Sequence, residues 1–123
     1  MDIEFVSAIV GQTISLPCRP YTPSSPVSWS FCGKSSNCSK NISINGIVDW
    51  HLADKYSLGT GKDRYHQLII VRVNSYDAGL YRCLEASAGG RVQQLVLEIS
   101  SILTLEFQYP LVFFKIIKFL SWC

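Results

Sequence analysis

The side chains in this sequence that could do chemistry are its five cysteines, at positions 18, 32, 38, 83 and 123, and its two histidines, His51 and His66. A cysteine thiolate can attack an electrophile or bind a soft metal, and a neutral imidazole can serve as base or ligand. The stretch "DAGLYRC", Asp77 to Cys83, sharpens the choice, because it places a tyrosine two residues before a cysteine, directly after a turn-forming Asp-Ala-Gly. Cys83 is then a nucleophile, a metal ligand or half of a disulfide. Neither histidine belongs to an H-E-x-x-H string, and no G-x-S-x-G or phosphate-loop pattern occurs. Cys32, Cys38 and His51 would supply three zinc ligands, with no fourth at the usual spacing. No catalytic, cofactor-binding or metal-binding residue is therefore assigned, no cofactor is expected, and the chain reads as a non-enzyme.

The elements that position these residues must fit in 123 residues, room for one domain and little more. At 48% hydrophobic and 12% aromatic, the chain can bury a core. A formal charge of +2 without a clustered Lys/Arg face gives no nucleic-acid footprint. Five cysteines point to an oxidising compartment, and so do two glycosylation sequons, Asn37-Cys38-Ser39 and Asn41-Ile42-Ser43, in a polar loop. The start, Met1-Asp2-Ile3-Glu4, shows no basic or long apolar leader, so an extracellular or cell-surface location implies a leader not present in this chain.

Turn residues recur every eight to twelve positions between short segments rich in β-branched and aromatic residues, the pattern of an antiparallel sandwich or barrel. "QTISLPC" alternates Ile14, Leu16 and Cys18 against Thr13 and Ser15. "VSWSF" sends Val27, Trp29 and Phe31 inward and Ser28 and Ser30 outward. "YHQLIIVRV" is the most apolar segment, and "LYRCLEA" and "VQQLVLEI" flank a hairpin turn at Gly89-Gly90.

Cys18, then Trp29, then Leu68-x-Ile70-x-x-Val73, then Asp77-x-Gly79-x-Tyr81-x-Cys83 is an order that resembles an immunoglobulin domain over about residues 4 to 100. The resemblance implies an all-β, immunoglobulin-like Greek-key sandwich, and the wide cysteine separation suits the V-type with its extra middle strands. It implies that Cys18 and Cys83 join across the sheets, with Trp29 against the sulfurs and Tyr81 as the corner tyrosine. Such a bridge stabilises by about 4 kcal/mol in the chain-entropy model. It also implies an ion pair from Asp77 to Lys55, with Arg64 as competitor. Cys32 and Cys38 suggest a second, short disulfide in the C–C′ hairpin, contributing about 2 kcal/mol. The Phe-Gly-x-Gly bulge of antigen-receptor joining segments is absent.

For such a domain the resemblance implies recognition of a protein or glycan ligand or another immunoglobulin domain, in an immune receptor or adhesion protein. The alternative is a structural spacer in a larger adhesion or matrix chain. Strand parity turns Ser28, Ser30, Arg82, Leu84, Val96 and Glu98 outward on the C–F–G face. Leu84 and Val96 would form an exposed apolar patch there, with Ser30 and Arg82 beside it. Tyr21 in the B–C loop and the Ala86–Arg91 hairpin tip are the loop alternative. Asn41 and Asn37 are the candidate glycan carriers, Asn41 first because a bridge at Cys38 would hinder Asn37.

Residues 1–100 thus form the expected V-type domain and 101–123 a hydrophobic tail outside the sandwich. The tail's eleven Leu, Ile, Val and Phe residues from Leu103 onward favour a bilayer by about 3–7 kcal/mol. Lys115 and Lys118 cost about 5–7 kcal/mol, before Glu106 and Pro110 are counted. That balance leaves three readings: a truncated or mis-spliced end, an interfacial membrane segment, or packing against a partner. Cys123 has no partner by count.

Overall fold

The computed structural model describes residues 3–22, 24–34, 37–59, 66–87, 89–105 and 113–119. Arg64 and Cys123, and much of the hydrophobic tail, lie outside them. Among the described residues ten strands form two sheets: β1 (Ile3–Ile9), β2 (Ile14–Leu16), β3 (Val27–Gly33), β4 (Lys40–Ile44), β5 (Ile47–Val48), β6 (Tyr56–Leu58), β7 (Leu68–Ile70), β8 (Gly79–Glu85), β9 (Val92–Leu105) and β10 (Phe113–Phe119). The larger sheet runs β1-β9-β8-β3-β4-β5, with β10 also paired to β9, and the smaller runs β2-β7-β6. In the family's lettering β3, β8 and β9 are strands C, F and G. The chain is an all-β immunoglobulin-like sandwich.

Period-two alternation drives the two inner faces together. Val27 and Trp29 of β3, Tyr81 and Cys83 of β8, and Leu95, Leu97 and Ile99 of β9 are buried from the larger sheet. Leu16, Tyr56, Leu68 and Ile70 meet them from the smaller, and Val73 follows β7 into the same core. A buried aliphatic or aromatic side chain contributes about 1.5–3 kcal/mol, so this cluster dominates the fold's stability. The turn between β4 and β5 is Asn45-Gly46, with φ of 50° and 84°. Two consecutive positive φ values match the right-handed twist of a two-residue hairpin, and Asn-Gly adopts them readily.

β9 runs to Leu105, past the boundary expected at residue 100, and β10 pairs back on it antiparallel, from Phe113 opposite Leu105 to Phe119 opposite Ile99. Ile99 and Ser100 are also matched with Ala8 and Ile9 of β1. β10 therefore occupies the other edge of β9, beyond Leu97, where its pairing with β8 stops. No helix among the described residues is long and apolar enough to cross a membrane.

Candidate functional site

Cys18 and Cys83 are bonded across the sandwich, their Cα atoms 6.3 Å apart. Trp29 lies directly opposite Cys83 in the β3–β8 register, fully buried. Its indole N–H donates to the carbonyl of His66 at 3.2 Å, so the one polar atom of the ring is satisfied inside the core. Cys32 and Cys38 are bonded to each other, which removes both from any metal site. Among the described residues no group of three or more His, Cys, Asp or Glu side chains is placed to hold a metal ion.

At the lower end of the sandwich Tyr81 Oη donates to the Asp77 carbonyl at 2.6 Å. The Asp77 carboxylate accepts from Lys55 Nζ at 2.9 Å and from the Asn74 N–H at 2.8 Å. Burial, the charge of Asp77 and an opposing hydrogen bond to Tyr81 leave the Tyr56 hydroxyl pushed up to about 12. Burial pushes Tyr81 up as well, helped by Tyr56 and Asp77. This cluster ties the turn into β8 to the approach of β6.

The outer face of β3, β8 and β9 differs from the parity expectation. Val96 is only 1% exposed, because Leu80 opposite it and the Cys32–Cys38 bridge pack over it. Ser30 is 4% exposed, wedged between Arg82 and Asn41 in register and donating to Asn41 Oδ1 at 3.3 Å. Arg82, Leu84, Ser28 and Glu98 are half-buried. No exposed apolar patch forms from Leu84 and Val96. Alternation fixed which way these side chains point; it carried no information about what lies on top of them.

The opposite end, where β2 leads to β3 and β8 turns into β9, is tied together by one carboxylate. Glu85 continues the Tyr81–Cys83 parity one step further and so points between the sheets, 8% exposed. It accepts from the Tyr21 N–H at 2.6 Å and the Thr22 N–H at 3.2 Å on one loop, and from the Arg91 N–H and Ser87 Oγ, both at 3.2 Å, on the other. Burial raises its pKa, yet the donors from Arg91, Tyr21, Thr22 and Ser87 outweigh this and hold the carboxyl below its ordinary value. Two further ties cross between the loops. Arg91 Nη1 donates to the Arg19 carbonyl at 2.8 Å, and the Arg19 N–H donates to Gln93 Oε1. The Arg91 guanidinium also lies 5.8 Å from the Tyr21 ring centre, within cation–π range. Beside them opens a concavity of about 690 Å³, lined among others by Ile3, Tyr21, Gly90, Arg91 and Gln94. Tyr21 and the hairpin tip are expected from the sequence and Glu85 is not, although its two-residue offset from Cys83 is the available signal.

The family model for the immunoglobulin domain matches residues 4–94. The chain belongs to the immunoglobulin-domain family. No curated protein matches it. A chain in the crystal structure of Dpr11 IG1 bound to DIP-gamma IG+IG2 is similar at 16% identity and TM-score 0.63, over 84% of this chain and 50% of that one. This immunoglobulin domain thus spans half the length of that relative. It is similar to a chain of the complex of Dpr1 IG1 with DIP-eta IG1 at 18% identity and TM-score 0.63, covering 78% of this chain and 88% of that one. It is also similar to the ZIG-8 IG1 homodimer at 12% identity and TM-score 0.64, over 79% of this chain and 78% of that one.

Proposed function

We propose that this domain is a non-enzymatic, extracellular or cell-surface recognition module whose partner is another immunoglobulin domain, bound at the end formed by the Tyr21 loop, the turn at residues 89–91 and the start of β9. The observation that carries this reading is the Glu85 carboxylate joining both loops. Loops fixed before contact lose less conformational entropy on binding, so more of the interaction energy appears as affinity. Tyr21, 72% exposed, and Arg91 beside it are residue types that dominate protein interfaces. Several of the similar solved structures are complexes or homodimers of immunoglobulin domains, which favours an immunoglobulin partner. The disulfides favour an oxidising location. At the outer face the burial of Ser30 and Val96 leaves less for a partner to grip.

The test is a multivalent, secreted form of the chain presented to a panel of immunoglobulin-domain ectodomains, itself included. Saturable binding to at least one member is expected. Arg91→Glu and Tyr21→Ala should each weaken it at least tenfold, and Arg82→Glu on the sheet face should not. Loss with Arg82→Glu alone would move the site to the sheet face. Binding to no member would remove the reading.

A further inference from the structure

At the far edge of the larger sheet, Ile44, Ile47 and Trp50 are 57%, 74% and 78% exposed. Ile44 and Ile47 stand opposite one another in the β4–β5 register, so their side chains share a face. Together with Trp50 they line a concavity of about 600 Å³ whose wall also includes Asn41, Asn45 and Asp49. Exposed apolar side chains gathered on one concavity and rimmed by polar residues mark an interaction site. Asn41 is the acceptor of the Asn41-Ile42-Ser43 sequon. From these we infer that an N-linked glycan on Asn41 packs its first sugars onto Ile44, Ile47 and Trp50.

The local geometry favours this occupant. Asn41 is exposed, and its Oδ1 is turned to the Ser30 hydroxyl at 3.3 Å. The opposite branch of the carboxamide, Nδ2, is the atom that carries the sugar. In the modification, Nδ2 forms a bond to C1 of the N-acetylglucosamine as the bond from C1 to a lipid-diphosphate donor breaks, and one Nδ2 proton leaves. The product amide keeps Oδ1 as an acceptor for Ser30. Ser43, the sequon hydroxyl, is 1% exposed and accepts the Trp29 N–H at 3.1 Å, so transfer precedes pairing of β3 with β4. Trp50 has one side of its indole against the His51 ring, centres 3.6 Å apart and planes tilted by 32°. A pyranose is amphipathic in the manner this concavity requires: its C–H face suits an indole and two isoleucines, and its hydroxyls suit water and the polar wall. Asn37 does not line the concavity.

The inference rests on the secretory location in the reading above and is independent of where a partner binds. The chain is secreted from eukaryotic cells, and its occupancy is read by glycopeptide mass spectrometry alongside its disulfides. Its melting temperature is then compared before and after enzymatic removal of the glycan, in the wild-type sequence and in Trp50→Ala. Occupied Asn41, a loss of about 4 °C on deglycosylation and little further loss in Trp50→Ala are expected. A contact in NMR between the N-acetyl methyl and the Trp50 ring would accompany them. An unmodified Asn41 in a secreted, fully disulfide-bonded chain overturns the inference, as does an equal loss in both sequences. A dimer of Asn41→Gln that Ile47→Asp dissociates would assign the patch to a second copy and overturn it too. Failure of secretion or of disulfide formation would instead overturn the location, and the glycan with it.

Discussion

Tyr81 reaches back four residues to hydrogen-bond the Asp77 carbonyl at 2.6 Å, while the Asp77 carboxylate holds Lys55 at 2.9 Å. One turn residue therefore anchors strand β8 through its backbone and strand β6's approach through its side chain. Tyr81→Phe keeps the ring and its contact with Phe31, 4.7 Å between centres. It removes the donor to the Asp77 carbonyl and the hydrogen bond with Tyr56, at a cost of about 1–3 kcal/mol. Thermal unfolding should drop by roughly 4–8 °C for each kcal/mol lost, and an unchanged melting temperature would mean the bond does not matter.

Asp77 and Lys55 should not be equivalent when removed. Asp77→Ala loses the ion pair and also the acceptor for the Asn74 N–H in the capping box, together about 2–3 kcal/mol. Lys55→Met leaves the carboxylate its backbone donor, and Lys55 is 27% exposed, so its loss should be below about 1 kcal/mol. Denaturant titration of both variants checks the order, and a larger effect at Lys55 would reverse the assignment.

Alkali should unfold the domain through its buried tyrosines. Tyr56 shifts from 10.0 to about 12 in the fold, so between these values the unfolded chain binds fewer protons than the folded one. The Tyr56 contribution is then complete below pH 10 and falls as pH rises towards 12. Tyr56→Phe should flatten that slope between pH 10 and 12 in urea melts, and an unaltered slope would show that Tyr56 is not its source.

Gly79 has φ of 136°, and a Cβ there would meet the Gly33 carbonyl oxygen at 2.8 Å. That contact lies where β8 joins β3, so backbone would have to move to relieve it. Gly79→Ala should cost more than about 2 kcal/mol, from both the strained φ and the clash. Normal yield and melting temperature would contradict this.

The sequence made the frame legible because its signals are short-range and chemically distinct. Cys18, Trp29, Tyr81 and Cys83 are fixed by parity and by the order in which they occur. Exposure was less legible. Val96 and Ser30 point outward as alternation requires, yet both are covered, by the Cys32–Cys38 bridge with Leu80 and by the Asn41–Arg82 flank respectively. Such covers come from residues distant in sequence, which a strand-by-strand reading does not bring together. Glu85 was hidden for a related reason: a charged residue reads as surface until its donors, from Tyr21, Thr22, Ser87 and Arg91, are assembled around it. Asn45-Gly46 was an overlooked turn signal that sets the β4–β5 hairpin and thereby the Ile44–Ile47 pair.

Glu85 also gives the loop end a pH response. Its carboxyl lies below the ordinary value of 4.5, so its contribution is present above that value and is lost as pH falls through the lowered one. Glu85→Gln should release the Tyr21 and Arg91 amides to faster hydrogen exchange at neutral pH while the Cys83 and Leu97 amides stay protected. Uniform exchange changes across the domain would show that Glu85 supports the whole fold and not the two loops.

Recognition through the loop end is tested most directly by amide hydrogen exchange of the domain, free and bound to whichever immunoglobulin ectodomain it captures. Protection confined to residues 19–22 and 89–94 is the predicted footprint. Protection along β3 and β8 with those loops unchanged would contradict it.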